Sequence, residues 1–142
     1  MHLAYEPIAA RFNLTDENCP DSGRATLKYE KFLAEYDGGE IMFAYHLDEI
    51  IVGYIGMHYK DSVIKLDDIV VLPAYQSKGI GTELLEFCLN YSIEHGCTYV
   101  RLGMINDNNE LRKWYEKKGF ETVALKQYPN APFITGYMEQ KI

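Results

Sequence analysis

Residues 76–89 read QSKGIGTELLEFCL, with two glycines one residue apart where a turn gives way to a long apolar-patterned run. Glycine costs a helix roughly 1 kcal/mol relative to alanine, so Gly79 and Gly81 at a helix entrance need a reason. Such an entrance leaves backbone N–H groups without partners and carries the positive end of the helix dipole. Removing two side chains lets an anion approach those donors, and Lys78 adds charge beside them; the chemistry that suits is phosphate binding. The bland alternative is a tight turn. A P-loop would carry its lysine after the second glycine, whereas Lys78 precedes both. A dinucleotide fingerprint would carry a third glycine where Leu84 stands. The pattern met throughout, by Gln76, Gly79 and Gly81, is Gln/Arg-x-x-Gly-x-Gly/Ala between a strand and a helix. Other chemistry fails on spacing. Ser22, Ser62, Ser77 and Ser92 show no Gly-x-Ser-x-Gly elbow, and no His-x-x-x-His or Cys/His cluster has metal-ligand spacing.

The elements around this entrance follow from periodicity. Residues 1–23 are expected to be irregular, because Pro7, Pro20 and the DSG at 21–23 break any period. RATLKYEKFLAEYDGG (24–39) predicts a helix with Leu27, Phe32, Leu33 and Tyr36 broadly on one side, ended by Gly38 and Gly39. EIMFAYHL and IIVGYIGMHY predict a hairpin across a short DE turn, and VIKLDDIVVL a third strand ended by Pro73. A helix then runs from the glycines to about His95, stopped by Gly96. TYVRLGMI is a strand, NNELRKWYEKK a helix closed by Gly119, and FETVALKQY and ITGYMEQKI are two strands around a loop with Pro129 and Pro132. The fold class is mixed α/β: antiparallel strands first, then a strand–helix–strand crossover with parallel strands.

IVVLPAYQSKGIGTELL resembles motif A of the GNAT superfamily of acyl-coenzyme-A-dependent N-acetyltransferases, including the strand–Pro–x–Tyr–Gln approach. NNELRKWYEKKGFE is similar to that family's later Asn–x6–Tyr–Glu–x2–Gly–Phe segment. The two motifs stand in the right order about thirty residues apart, and the likeness covers roughly residues 40–142. YPNAPFITGYMEQ also resembles the end of a set of small bacterial members. The first 23 residues look unlike the family's usual opening strand, where acceptor-binding elements normally sit.

Acetyl transfer to an amine needs a held thioester, a neutral amine, a stabilised oxyanion and a proton for the departing thiolate. The resemblance implies that acetyl-CoA rests its pyrophosphate on backbone N–H groups of Gln76, Ser77, Lys78, Gly79, Ile80, Gly81 and Thr82. It implies that the pantetheine arm bonds like an extra strand to Ile69, Val70 and Val71, which are otherwise ordinary core residues. Val71 N–H is the implied oxyanion donor, and such a donor is worth roughly 3 kcal/mol of barrier. Tyr115 is the implied general acid: a phenol of pKa ~10 keeps its proton at neutral pH and can give it to sulfur. Its bland alternative is a packed aromatic beside Trp114. Asn108 resembles the family's cofactor-contacting asparagine, and whether it or the Asp107-x-x-Glu110 pattern caps the helix stays open. For the base, strand alternation puts Lys65 and Asp67 on one face and Asp68 on the other. Asp67 shares its face with Ile69 and Val71 and is preferred; His58 is a second candidate. Gly103 stands where some members carry a strand Glu, a departure from protein N-terminal acetyltransferases.

Composition bounds the rest. The 142 residues, 47% of them hydrophobic, suffice for one core and one domain over 1–142. Fourteen Lys+Arg against 21 Asp+Glu give a net charge of -7. That balance argues against a general nucleic-acid binder and suits a cationic amine, although acidity is also a solubility device. Cys19, Cys88 and Cys97 form an odd set without Cys-x-x-Cys spacing, expected in a reduced cytoplasmic protein without disulfides or structural zinc. No signal pattern and no apolar run of ~18 residues stand in the chain. The expected partner is a small-molecule amine, with no nucleic acid, membrane or metal; a homodimer stays open. The second reading, of a different class, is a non-catalytic acyl-CoA-binding or regulatory module. A structural or partner-binding domain is a third.

Overall fold

The computed structural model describes residues 1–19 and 24–142. The chain opens with helix α1 (His2–Arg11), where the sequence predicts irregular structure. Pro7 does remove a helical hydrogen bond, and no α1 residue is buried. Tertiary contacts override the breaker: the Tyr5 hydroxyl donates to Asp68 Oδ1 at 2.8 Å, and His2 Nε2 lies 2.6 Å from Leu27 O. Pro20 and the DSG at 21–23 lie outside the described residues. Helix α2 (Tyr29–Asp37) is shorter than expected, with Lys28 extended at its N-cap. The preceding residues are drawn elsewhere, Arg24 to Asp68 and Glu35 and Thr26 Oγ1 to Asp16 Oδ1 at 2.6 Å. Leu33 and Tyr36 stay exposed. Phe32 is the aromatic that packs inward, 5.7 Å from the Tyr54 ring.

Strands β1 (Ile41–Leu47), β2 (Ile50–Lys60) and β3 (Val63–Val71) then form two tight hairpins. Each turn places two residues in the left-handed region: Asp48 (φ 46) and Glu49 (φ 70), then Asp61 (φ 52) and Ser62 (φ 61). This geometry follows the right-handed twist of the flanking strands, so two-residue connections suffice. A 3-10 turn at Pro73–Tyr75 leads into helix α3 (Ile80–Glu94). Its buried residues, Ile80, Leu84, Leu85, Cys88 and Ser92, form one stripe against the sheet. Strand β4 (Tyr99–Ile105), helix α4 (Asn109–Lys117), β5 (Glu121–Gln127) and β6 (Ile134–Lys141) complete the chain.

The sheet has the order β1-β2-β3-β4-β6-β5, and only β3 and β4 are parallel. The core gathers Val52, Ile55, Met57, Ile64, Leu66, Val100, Leu102, Phe120 and Met138 with the α3 stripe. All three cysteines are free and buried. Among the described residues no helix is long and apolar enough to cross a membrane. The feature that positions the site is the β3–β4 pair. It is in register from Val63↔Tyr99 to Leu66↔Leu102 and then parts, leaving a gap between residues 67–71 and 103–105.

Candidate active site

The gap opens into a cleft of about 2020 Å³ lined by Ile69, Val70, Val71, Gly103, Asn108 and Tyr115, and at one end by Gln76, Ser77, Gly79, Gly81 and Thr82. Leu72 N donates to Val52 O across the β2–β3 ladder. Alternation along an antiparallel strand then turns the backbone groups of Val71 and Ile69 away from β2 and into the gap, and those of Val70 toward β2. Gln76 Nε2 donates to Val71 O at 2.9 Å, on the gap side as this requires. Two of the three expected strand residues therefore offer backbone groups to the cleft.

At the helix entrance Ser77 (φ 59) and Gly79 (φ 89) are left-handed, and Gly79 is the N-cap of α3. The first bond of the helix is Glu83 N to Gly79 O. Ile80, Gly81 and Thr82 thus direct N–H groups outward without helical partners. A Cβ at Gly79 would meet nothing within 4 Å; one at Gly81 would sit 3.8 Å from Trp114 and 4.0 Å from Val71. Neither glycine is demanded by protein packing; at Gly81 the vacancy faces the cleft. Lys78 leans over the Tyr75 ring at 5.4 Å, and the Ile80 side chain points into the core.

Tyr115 is buried, edge-on to Trp114 at 4.9 Å and to Phe120 at 5.5 Å. Burial raises its hydroxyl pKa above the ordinary tyrosine range, with Cys88 and Asp68 adding. Its proton is held throughout the neutral range. Asn108 is the N-cap of α4, its side chain accepting from Leu111 N at 3.4 Å. The capping question left open by the sequence is thereby decided, and Asn108 still lines the cleft.

Asp67 sits at an irregularity of β3. Gly56 pairs with Asp68 and Met57 with Leu66, so Asp67 is the extra residue of a β-bulge. Burial still alternates along β3, Asp67 being half-buried like Ile69 and Val71 while Asp68 is buried like Leu66 and Val70. Asp67 Oδ2 lies 2.5 Å from His58 Nδ1 and its Oδ1 2.5 Å from Lys65 Nζ. Asp67 and Asp68 both act on the buried Glu40, so the bulge brings the two aspartates into one charged cluster. Asp68 is buried, accepting from Tyr5 and held by Arg24, whose Nη2 lies 2.9 Å from Oδ2 and whose Nη1 reaches Glu35 at 2.7 Å. Burial pushes the Asp68 carboxyl up, and Arg24 and the Tyr5 bond pull it back. Burial likewise lifts the Tyr5 hydroxyl well above its ordinary value.

Glu40 is 4% exposed. Its Oε1 accepts from Tyr54 Oη at 3.4 Å, and its Oε2 has no hydrogen-bond partner among the described residues. Burial, followed by Glu35, Asp68 and Asp67, pushes its pKa up to about 7. It lies against the backbone of Gly56, where a Cβ would come inside contact distance of Glu40 Oε1 and within 2.7 Å of Tyr54 Oη. Glu40, His58 and Asp67 offer donor atoms within 4.8 Å of one another. Both Asp67 oxygens already serve His58 and Lys65.

A family model, the acetyltransferase (GNAT) family, matches residues 9–120. The chain belongs to that family. Thialysine N-epsilon-acetyltransferase of Bos taurus is 31% identical over 80 residues, covering 52% of this chain and 46% of that relative. The chain thus spans about half the length of the curated relatives it matches. Among solved structures, the ribosomal-protein-S18-alanine N-acetyltransferase of Escherichia coli superposes with a TM-score of 0.75 at 20% identity, over 82% of this chain and 77% of that one. A GNAT family acetyltransferase of Elizabethkingia anophelis, crystallised with acetyl-CoA bound, gives 0.68 at 15% identity over 81% and 84%. At these identities the structures speak to the fold, and it is the GNAT fold.

Within this GNAT chain, sequence reasoning missed Tyr5, Arg24 and Glu40. Their roles arise from contacts 14 to 63 residues distant in the chain. One signal was available: Gly56 inside a strand pattern marks a bulge or a close approach, and here it marks both.

Proposed function

We propose that residues 1–142 act as one acetyl-CoA-dependent N-acetyltransferase domain that acetylates a primary amine of a small, cationic acceptor by direct attack on the thioester. The observation that carries the proposal is the gap between β3 and β4, with the open N-terminus of α3 at its end, in a chain of the GNAT family. Bound there, acetyl-CoA supplies the activated acetyl group. Its pyrophosphate meets the N–H groups from Ser77 to Thr82, that of Gln76 being given to Pro73 O, and the helix dipole favours negative charge there. The backbone of Ile69 and Val71 pairs with the pantetheine arm, and Val71 N–H stabilises the oxyanion. Tyr115 gives its proton to the thiolate, and Asp67 belongs to the proton-accepting side.

A cationic acceptor is supported by the net charge of -7 and by the thialysine relative, whose name describes acetylation of a side-chain amine. The cleft lining itself balances carboxylates such as Glu17, Asp67 and Glu110 against cations such as Arg11, Lys65 and Arg101. Attraction of a cation therefore rests on the whole molecule's field. Thiol release from acetyl-CoA, screened over polyamines, aminoglycosides, lysine, thialysine, other amino acids and peptides, tests the proposal. Turnover with any amine supports it. Coenzyme A binding with no turnover across the screen returns the non-catalytic acyl-CoA-binding module.

A further inference from the structure

We infer that His58 takes the proton from the acceptor's ammonium, with Asp67 as its positioning residue; this rests on the acetyltransferase reading. His58 lies on β2 in register with Lys65 of β3, one step before the last β3–β4 pair, Leu66↔Leu102. It stands at the vertex of the gap and lines the same cleft as Val71 and Tyr115. Its side chain is 42% exposed, so it meets cleft and solvent together. The Asp67 carboxylate, 2.5 Å from Nδ1, holds the ring proton there and orients the imidazole. That leaves Nε2, which no hydrogen bond among the described residues engages, as the accepting atom.

The charged groups facing the ring are Asp67 and Lys65 from β3 and Glu40 from the segment ahead of β1, with Arg101 of β4 paired beside Lys65. Asp67 is a poor acceptor itself, since both its oxygens are engaged.

The ammonium gives one proton through water in the cleft to His58 Nε2, which passes it to bulk solvent. The freed lone pair attacks the thioester carbon and forms the C–N bond. Collapse breaks the C–S bond, the thiolate takes the Tyr115 proton, and the resulting phenolate recovers the second proton from the nitrogen. The products are the amide, the free thiol and one proton in solution.

The test compares wild type, His58→Gln and Asp67→Asn by thiol release from pH 6.5 to 10.5 with the best amine from the screen, with coenzyme A affinity measured on the same samples. His58→Gln should lower kcat/KM about 10²-fold at pH 7, the low end for a general base. The loss should shrink to under about tenfold near pH 10, where an amine of pKa ~10.4 supplies its own neutral form. Coenzyme A affinity should hold, and added imidazole should restore activity to His58→Ala. Asp67→Asn, which leaves the ring in place, should show a smaller loss with the same recovery at high pH. A deficit equal at every pH in both variants, wild-type rates at pH 7 in both, or no response to imidazole overturns the assignment. Absence of turnover by wild type overturns the acetyltransferase reading, and this assignment with it.

Discussion

Replacing Glu40 by Gln should remove a pH dependence from the stability of the fold. The carboxyl has a pKa of about 7 in the folded protein, against an ordinary value of 4.5. Between these values the folded state binds more protons than the unfolded chain, so this group's contribution to stability falls as pH rises through the window. A difference of two and a half units at 1.36 kcal/mol each makes the loss about 3 kcal/mol between pH 4.5 and pH 7.5. Glu40 is 4% exposed, so little solvent screening reduces that figure. Gln keeps the shape and the acceptor for Tyr54 and cannot ionise. Urea unfolding of both proteins at half-unit steps from pH 4.5 to 8 measures the effect, the wild-type curve descending relative to the variant by about 3 kcal/mol. Parallel curves across that range would show that Glu40 titrates alike in both states, and the buried-acid account would fall.

Three further outcomes are expected. Gly81→Val should fold, since its Cβ meets only ordinary contacts with Trp114 and Val71. Its coenzyme A affinity should drop about tenfold or more, roughly 1.4 kcal/mol by calorimetry, and unchanged affinity removes the cradle. Tyr115→Phe keeps the packing on Trp114 and Phe120 and should lower kcat ~10²–10⁴-fold with little change in cofactor affinity; wild-type turnover at saturating cofactor excludes the phenol from proton transfer. For the best acceptor, kcat/KM should fall as salt rises, because attraction by a net charge of -7 is screened over ~10 Å at 0.1 M. A flat series, or preference for an acidic amine such as glutamate, removes the cationic acceptor.

The sheet and the helix entrance were legible because local rules govern them. The two-residue turns, the Gly79 cap and the apolar stripe of α3 each depend on residues within one or two turns of chain. The charged cluster was not legible for the opposite reason. Strand alternation groups Asp67 with Ile69 but does not foresee the extra residue opposite Gly56 and Met57 or the contact of Asp67 with His58 of the neighbouring strand. Pro7 argues against α1, yet one hydroxyl on a carboxylate 63 residues away anchors that helix. Glu40 looks like the polar first residue of a strand, and its burial comes from lying over the bare backbone of Gly56.

The short β3–β4 ladder has a mechanical consequence. Strands β1 to β3 make one leaf and β4 to β6 another, and four residue pairs, with α3 laid across, form the seam between them. Past Leu66 and Leu102 no ladder pair among the described residues joins the leaves, so the sheet is unfinished along half of its central line. An extended ligand lying there would act as a stitch, supplying to both leaves the partners that a seventh strand would otherwise provide. Part of its binding free energy then goes into stiffening the molecule, and resistance to unfolding becomes a function of how full the seam is kept.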